Sequence, residues 1–184
     1  MKQRGFTLIE LLVVIAIVSL MASVGSGMFL GTFERLKVDK AASNLLLTAK
    51  YARMMAVEQQ RRYTLCLDVL NNGFYLVTTL YDEETGQIEE VIVQDPYCRP
   101  VTLENNIIFE DIQITPIGLE TTTESENLST IVFMPDGTAQ PAVIQIGNQK
   151  THYALSINAA TGKAKLVPGT VENVKVSTID LDAE

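Results

Sequence analysis

The sequence is poor in the residue types from which most catalytic and metal sites are built. Its 184 residues include one histidine, His152, and two cysteines, Cys66 and Cys98. No second histidine or cysteine pair stands at metal-ligand spacing. The chain also lacks a nucleophile elbow, a phosphate-binding glycine loop and a metalloprotease helix, and the acidic run 82–84 lacks the spacing of a calcium loop. We therefore predict that the protein is not an enzyme and holds no cofactor or metal.

Basic side chains are also scarce. The chain has 14 Lys and Arg against 22 Asp and Glu, a formal net charge of −8 at pH 7. Such a chain lacks the positive field that attracts phosphate backbones and anionic lipid head groups. We therefore predict that nucleic acid is not a general partner.

One long apolar run is present, at residues 6–30, behind the basic leader at residues 1–5. A helix of about 25 residues is roughly 37 Å long, enough to cross a ~30 Å hydrocarbon core. The run contains a single acid, Glu10. A carboxylate at membrane depth costs ~2.5–3.5 kcal/mol on insertion scales, so it requires a partner. We predict a membrane-spanning helix over 6–30 in which Glu10 is functional.

Beyond this run the hydrophobic period is that of an amphipathic helix. The apolar residues recur at spacings of three and four, at Val38, Ala42, Leu45, Ala49, Ala52 and Ala56. This stripe predicts that the helix continues through 31–62 and lies on the globular domain.

After Arg62 the period changes to the alternation of half-buried strands. Turn signals at 71–73, 135–137 and 160–163 each separate two strand-like segments and predict hairpins. We predict a β-rich domain over 63–167 and an acidic tail over 168–184. The fold class is therefore α+β, with a long N-terminal helix, membrane-spanning in its first half, packed on an antiparallel β-rich domain.

The first residues resemble the class III leader and N-terminal helix of type IV pilins and type II secretion pseudopilins. The resemblance rests on Lys2, Arg4 and the segment Gly5-Phe6-Thr7-Leu8-Ile9-Glu10-Leu11. It implies cleavage between Gly5 and Phe6 by a prepilin peptidase, N-methylation of Phe6, and pairing of Glu10 with the N-terminal amine of a neighbouring subunit. Two charges ~4 Å apart attract by ~4 kcal/mol at an effective dielectric of ~20, which is comparable to the insertion cost of Glu10.

Three later segments resemble the GspH/FimT minor pseudopilins and pilins: residues 46–56, 133–139 and 161–166. The resemblance implies a structural subunit of a pseudopilus or pilus, whose partners are other pilins, through the N-terminal helix, and an inner-membrane assembly platform. It also implies a single-pass inner-membrane protein with a periplasmic C-terminal domain. Some competence-associated members bind DNA through basic residues near the C-terminus, whereas this chain ends in Asp180-Leu181-Asp182-Ala183-Glu184.

Several alternatives stay open at this point. An ordinary secretory signal peptide, cut among the small residues 22–27, would give a secreted domain. The other two alternatives are a membrane-anchored domain that never polymerises and a competence pilin that binds DNA. The sequence also does not distinguish type II secretion from type IV pili.

In an oxidising periplasm, Cys66 and Cys98 are a candidate disulfide. The bridge would close a loop of ~33 residues and contribute roughly 3–4 kcal/mol in the chain-entropy model. The alternative is two unpaired thiols, because Cys66 lies on an alternating strand and also suits a small buried side chain.

Overall fold

The computed structural model describes residues 6–81, 88–104, 106–115 and 128–170, with backbone alone at 22–31, 81, 88 and 128. Contacts within the chain divide it into two compact units, Met1–Lys37 and Val38–Glu184.

A single helix, α1, covers Leu8–Gln59. At its start the Thr7 carbonyl oxygen accepts hydrogen bonds from the backbone N–H groups of Glu10 and Leu11, at 3.1 and 3.3 Å. At its end Gln60 has a φ of 52°, a left-handed conformation that stops the helix. The Arg61 N–H then donates to the Ala56 carbonyl at 3.3 Å, which caps the last turn.

In the described part of the chain, no helix meets the length and hydrophobicity needed to cross a membrane. The membrane-spanning role of residues 6–30 stays a prediction.

The second unit contains two antiparallel sheets. The first has the order β3-β2-β1-β6, with β4 also paired to β2, and the second has the order β5-β7-β8-β9. The strands are β1 Tyr63–Asp68, β2 Gly73–Tyr81, β3 Ile88–Ile92, β4 Val101–Thr102, β5 Ile108–Ile114, β6 Leu128–Phe133, β7 Ala142–Gly147, β8 His152–Ile157 and β9 Ala164–Pro168.

One hydrophobic core joins both sheets to the second half of α1. Every residue of the predicted helical stripe is completely buried, which confirms that prediction: Val38, Ala42, Leu45, Ala49, Ala52 and Ala56. Leu65 of β1 lies opposite Leu76 of β2 and Ile131 of β6, and all three belong to this core. The predicted α+β architecture, a helix on antiparallel sheets, is confirmed.

The hairpins predicted at residues 71–73 and 160–163 are confirmed, since β1 pairs with β2 and β8 with β9. The hairpin predicted around 135–137 is wrong as a strand pair. Although Phe133 forms an isolated bridge with Ala139, β6 pairs with β1 in one sheet and β7 pairs with β5 and β8 in the other. The Pro135–Gly137 turn therefore carries the chain from one sheet to the next.

Candidate assembly site

Phe6 and Glu10 lie together at the beginning of α1. Phe6 precedes the helix and is 76% exposed, and Glu10 is exposed in the first turn. A carboxylate there interacts favourably with the unpaired N–H groups and positive end of the helix. Gly5, the other residue of the predicted cleavage site, lies outside the described residues.

The helix around Glu10 exposes apolar side chains on every side. Leu11 to Ile15, which cover more than one helical turn, are each between 49% and 57% exposed. The other large apolar side chains between residues 8 and 21 are exposed as well: Leu8, Ile9, Ile17, Val18, Leu20 and Met21. A helix that is hydrophobic all round requires apolar surroundings, which this part of the chain does not provide for itself. Residues 6–21 therefore form a surface suited to lipid or to other apolar helices.

In the structure Cys66 and Cys98 are both buried free thiols, which is the second of the two alternatives that the sequence leaves open. Leu65 and Leu67 of β1 face the hydrophobic core, so Cys66 between them points to the opposite face of the sheet. Cys98 belongs to the core itself. The sheet thus separates the two sulfurs, and burial raises the pKa of each thiol to about 11.

The three segments that carry the resemblance to the GspH/FimT proteins meet around Arg53. The Arg53 Nε donates a hydrogen bond of 2.6 Å to the Thr161 carbonyl oxygen in the β8–β9 turn. A Cβ atom at Gly162 would lie 2.6 Å from the Gly137 carbonyl oxygen and 3.1 Å from the Arg53 Cδ. The turn at Gly162 can therefore approach Gly137 and the helix this closely only because residue 162 has no Cβ, whereas at residue 137 glycine suits the φ of 84°.

The segment 94–100, hereafter the 94–100 loop, is fixed to α1 by Asp95. Its carboxylate accepts hydrogen bonds from the Tyr51 hydroxyl and from the backbone N–H groups of Tyr97 and Cys98, the last two at 2.9 and 2.7 Å. Burial raises the pKa of Asp95, but these donors outweigh it and hold the pKa below its usual value. The sequence analysis missed this contact, although Asp followed by Pro is typical of a turn that the Asp side chain closes.

His152 contacts the carboxylate of Glu110. Its Nδ1 lies 2.8 and 2.9 Å from the two carboxylate oxygens of Glu110, and Gln145 donates to the same carboxylate at 2.5 Å. Among the described residues, no group of three or more potential ligands is close enough to hold a metal.

The model of the family described as "Type II transport protein GspH" matches residues 41–161, more than half of the chain. The chain belongs to this family. A second model, described as "Prokaryotic N-terminal methylation motif", matches residues 1–26. The GspH match covers the segments that meet around Arg53, and the methylation motif covers Phe6 and Glu10.

The chain is also similar to individual proteins of known name or structure. The chain is 28% identical over 121 residues to "Type II secretion system core protein G" of Aeromonas hydrophila, covering 65% of this chain and 85% of that protein. Two solved structures of the minor pseudopilin EpsH from the type II secretion system of Vibrio cholerae have the same fold. Their TM-scores are 0.53 and 0.55 at 12% identity, and the matches cover 72% and 74% of this chain and 97% of each EpsH chain.

Proposed function

We propose that this chain is a minor pseudopilin that assembles into, or primes the tip of, a type II secretion pseudopilus. The observation that carries the proposal is the presence of an N-terminal methylation motif and a GspH domain in one chain, with α1 running from the first into the second. The similarity to proteins named as components of type II secretion systems supports this system over a type IV pilus.

The proposed maturation begins with removal of residues 1–5. A prepilin peptidase cuts between Gly5 and Phe6, and the new N-terminal amine of Phe6 is methylated. The exposure of Phe6 ahead of α1 supports access by such enzymes. Mass spectrometry of the mature chain tests this step: we expect a methylated N-terminus at Phe6. A start near Gly25 would identify a secretory signal peptide instead.

Residues 6–30 anchor the mature chain in the inner membrane, with the β-rich domain in the periplasm. The exposed apolar side chains of residues 8–21 support this location. In the membrane Glu10 has no water to solvate its carboxylate, and the N-terminal amine of a neighbouring pseudopilin is the partner that neutralises it. When the chain joins the filament, this pairing removes the free-energy cost of an isolated carboxylate in the membrane.

The substitution Glu10→Ala tests the assembly role. We expect the variant to reach the membrane in normal amounts, to be absent or strongly reduced in sheared or cross-linked pseudopilus complexes, and to reduce secretion. Glu34→Ala is the matched control, because Glu34 is an exposed acid further along the same helix. Normal incorporation of Glu10→Ala would remove the proposed role of the carboxylate.

A further inference from the structure

Strand β9 is an edge of the second sheet. Among the described residues it pairs with β8 alone, from Ile157 opposite Ala164 to Tyr153 opposite Pro168. The outer side of an edge strand presents a row of backbone N–H and C=O groups to which a further strand can bond. The open side of β9 is therefore a surface on which the sheet can be extended.

The hydrogen bonds at the two ends of the β8–β9 pair show which backbone groups point to this open side. The Gly169 N–H donates to the His152 carbonyl oxygen at 2.9 Å, and the Asn158 N–H donates to the Lys163 carbonyl oxygen at 3.1 Å. Hydrogen-bonded and non-hydrogen-bonded pairs alternate along an antiparallel ladder. Every second residue of β9 therefore directs its backbone groups away from β8: Ala164, Leu166 and Pro168.

The side chains of β9 define what a further strand must carry. Ala164 and Leu166 pack against the hydrophobic core, whereas Lys165, on the opposite face, is exposed. Pro168 lies at a position directed to the open side, where its missing N–H removes no bond to β8. A strand that extends the sheet here therefore needs apolar side chains on the face of Leu166 and polar side chains on the other.

We propose that residues 174–178 of this same chain form the strand that pairs with β9. This segment, Val174-Lys175-Val176-Ser177-Thr178, alternates apolar and polar side chains and lies outside the described residues. In an antiparallel hairpin that places Val176 opposite Leu166, Val174 extends the same apolar face, and the polar side chains between them face solvent. The pairing concerns the globular domain alone and does not depend on filament assembly.

The chain directly after β9 is suited to such a hairpin. The strand ends at Pro168, and the chain bends at Gly169, whose φ of 115° lies in the region that favours glycine. Residues 169–173 form the connection, and a loop of this length is common between the strands of a hairpin. The proposed strand is thus covalently held beside the edge with which it pairs.

The attached segment fits the edge better than a strand from a second copy of the chain. A short linker holds it at an effective concentration of about a millimolar or more, so pairing within the chain prevails in dilute solution. Pairing of this kind also closes the edge to strands of other chains, which is how many proteins avoid edge-to-edge association.

Amide hydrogen exchange of the isotopically labelled full chain in detergent micelles tests the proposal. We expect the N–H groups of Ala164 and Leu166, which face away from β8, to be protected in the parent. Val176→Pro removes the N–H that bonds to the Leu166 carbonyl oxygen, so both amides should exchange roughly tenfold faster or more. A nuclear Overhauser effect between the Hα atoms of Val167 and Lys175, which lie opposite each other in this register, should be present in the parent and lost in the variant.

Ser177→Pro is the matched control. In the proposed register the Ser177 N–H faces solvent, so the same substitution one residue later removes no bond to β9 and should change exchange at Leu166 by less than about twofold. Three outcomes would overturn the proposal. They are equal responses to the two prolines, a Leu166 amide that exchanges as an unprotected one in the parent, and an Overhauser effect that arises between isotopically distinct copies in a mixed sample.

Discussion

The two halves of α1 show opposite uses of hydrophobic side chains on one helix. From Leu8 to Met21 the large apolar side chains are exposed on all sides, whereas between Val38 and Ala56 one stripe of apolar side chains is completely buried in the domain core and others, such as Leu47, are exposed. The stripe of the second half packs on the sheets of its own chain, whereas none of the described residues covers the apolar side chains of the first half. Hydrophobicity alone therefore does not distinguish a helix that stabilises a fold from a helix made to contact something else; the distribution around the helix does.

The largest expected effect comes from two leucines of the second half. Leu45 is completely buried and Leu47 is 60% exposed. Leu45→Ala should destabilise the domain by about 2–5 kcal/mol, since it removes buried contacts and leaves a cavity. Leu47→Ala should change the free energy of unfolding by less than about 0.5 kcal/mol. Urea unfolding of the full chain, followed by circular dichroism, measures both, and equal effects would contradict the assignment of the buried stripe.

A smaller loss of stability is expected where the second half of the helix contacts the turns at Gly137 and Gly162. Gly162→Ala forces a Cβ into the 2.6 Å approach to the Gly137 carbonyl oxygen, at a φ of 57°. We expect a cost of about 1–3 kcal/mol, measured by the same unfolding experiment. Ala160→Ser, at an exposed position of the same turn, is the control. A neutral Gly162→Ala would mean that the two turns do not approach the helix so closely.

Acid should weaken the attachment of the 94–100 loop to the second half of the helix. Because the pKa of folded Asp95 lies below its ordinary value, the carboxylate stabilises the fold above about pH 4, and this contribution is lost as the pH falls through the folded pKa. Asp95→Asn should therefore be less stable than the parent at pH 7, with the difference shrinking towards pH 2. Asp39→Asn, at an exposed acid on α1, is the control. A pH-independent difference would argue against titration of Asp95.

The smallest effect on folding is expected in the first half of the helix. Val14 is 50% exposed, so Val14→Ala should change the free energy of unfolding of the domain by less than about 0.5 kcal/mol. Urea unfolding of the full chain, followed by circular dichroism as for Leu45→Ala, measures the change. A loss above ~1 kcal/mol would show that the first half also supports the fold, and would remove the contrast between the halves.

Most of the fold could be predicted from local patterns. The helical stripe from Val38 to Ala56 and the alternating strands follow periods of 3.6 and 2 that any buried face imposes. The two-residue strand β4, Val101–Thr102, was not predicted, because a segment so short shows no period. The hairpin expected at Pro135–Gly137 was wrong because turn residues specify a reversal but not the sheet that the next strand joins.

Only part of the candidate assembly site could be predicted from the sequence. Glu10 is recognisable as the single acid of the apolar run, whereas the role of Phe6 follows from the resemblance of the leader to those of type IV pilins and pseudopilins. The roles of Arg53 and Asp95 were not predicted, because their partners at Thr161 and Tyr51 lie 108 and 44 residues away in the chain.

The sequence by itself determined the apolar first half of α1, the position of Glu10 within it and the buried stripe of the second half, because each is a property of neighbouring residues in one helix. The tertiary structure alone decided which strands share a sheet, that Cys66 and Cys98 lie on opposite sides of a sheet, and that two glycine turns meet at Arg53. Those features depend on contacts between residues far apart in the chain, whose pairing is set by how the whole core packs and not by any local period.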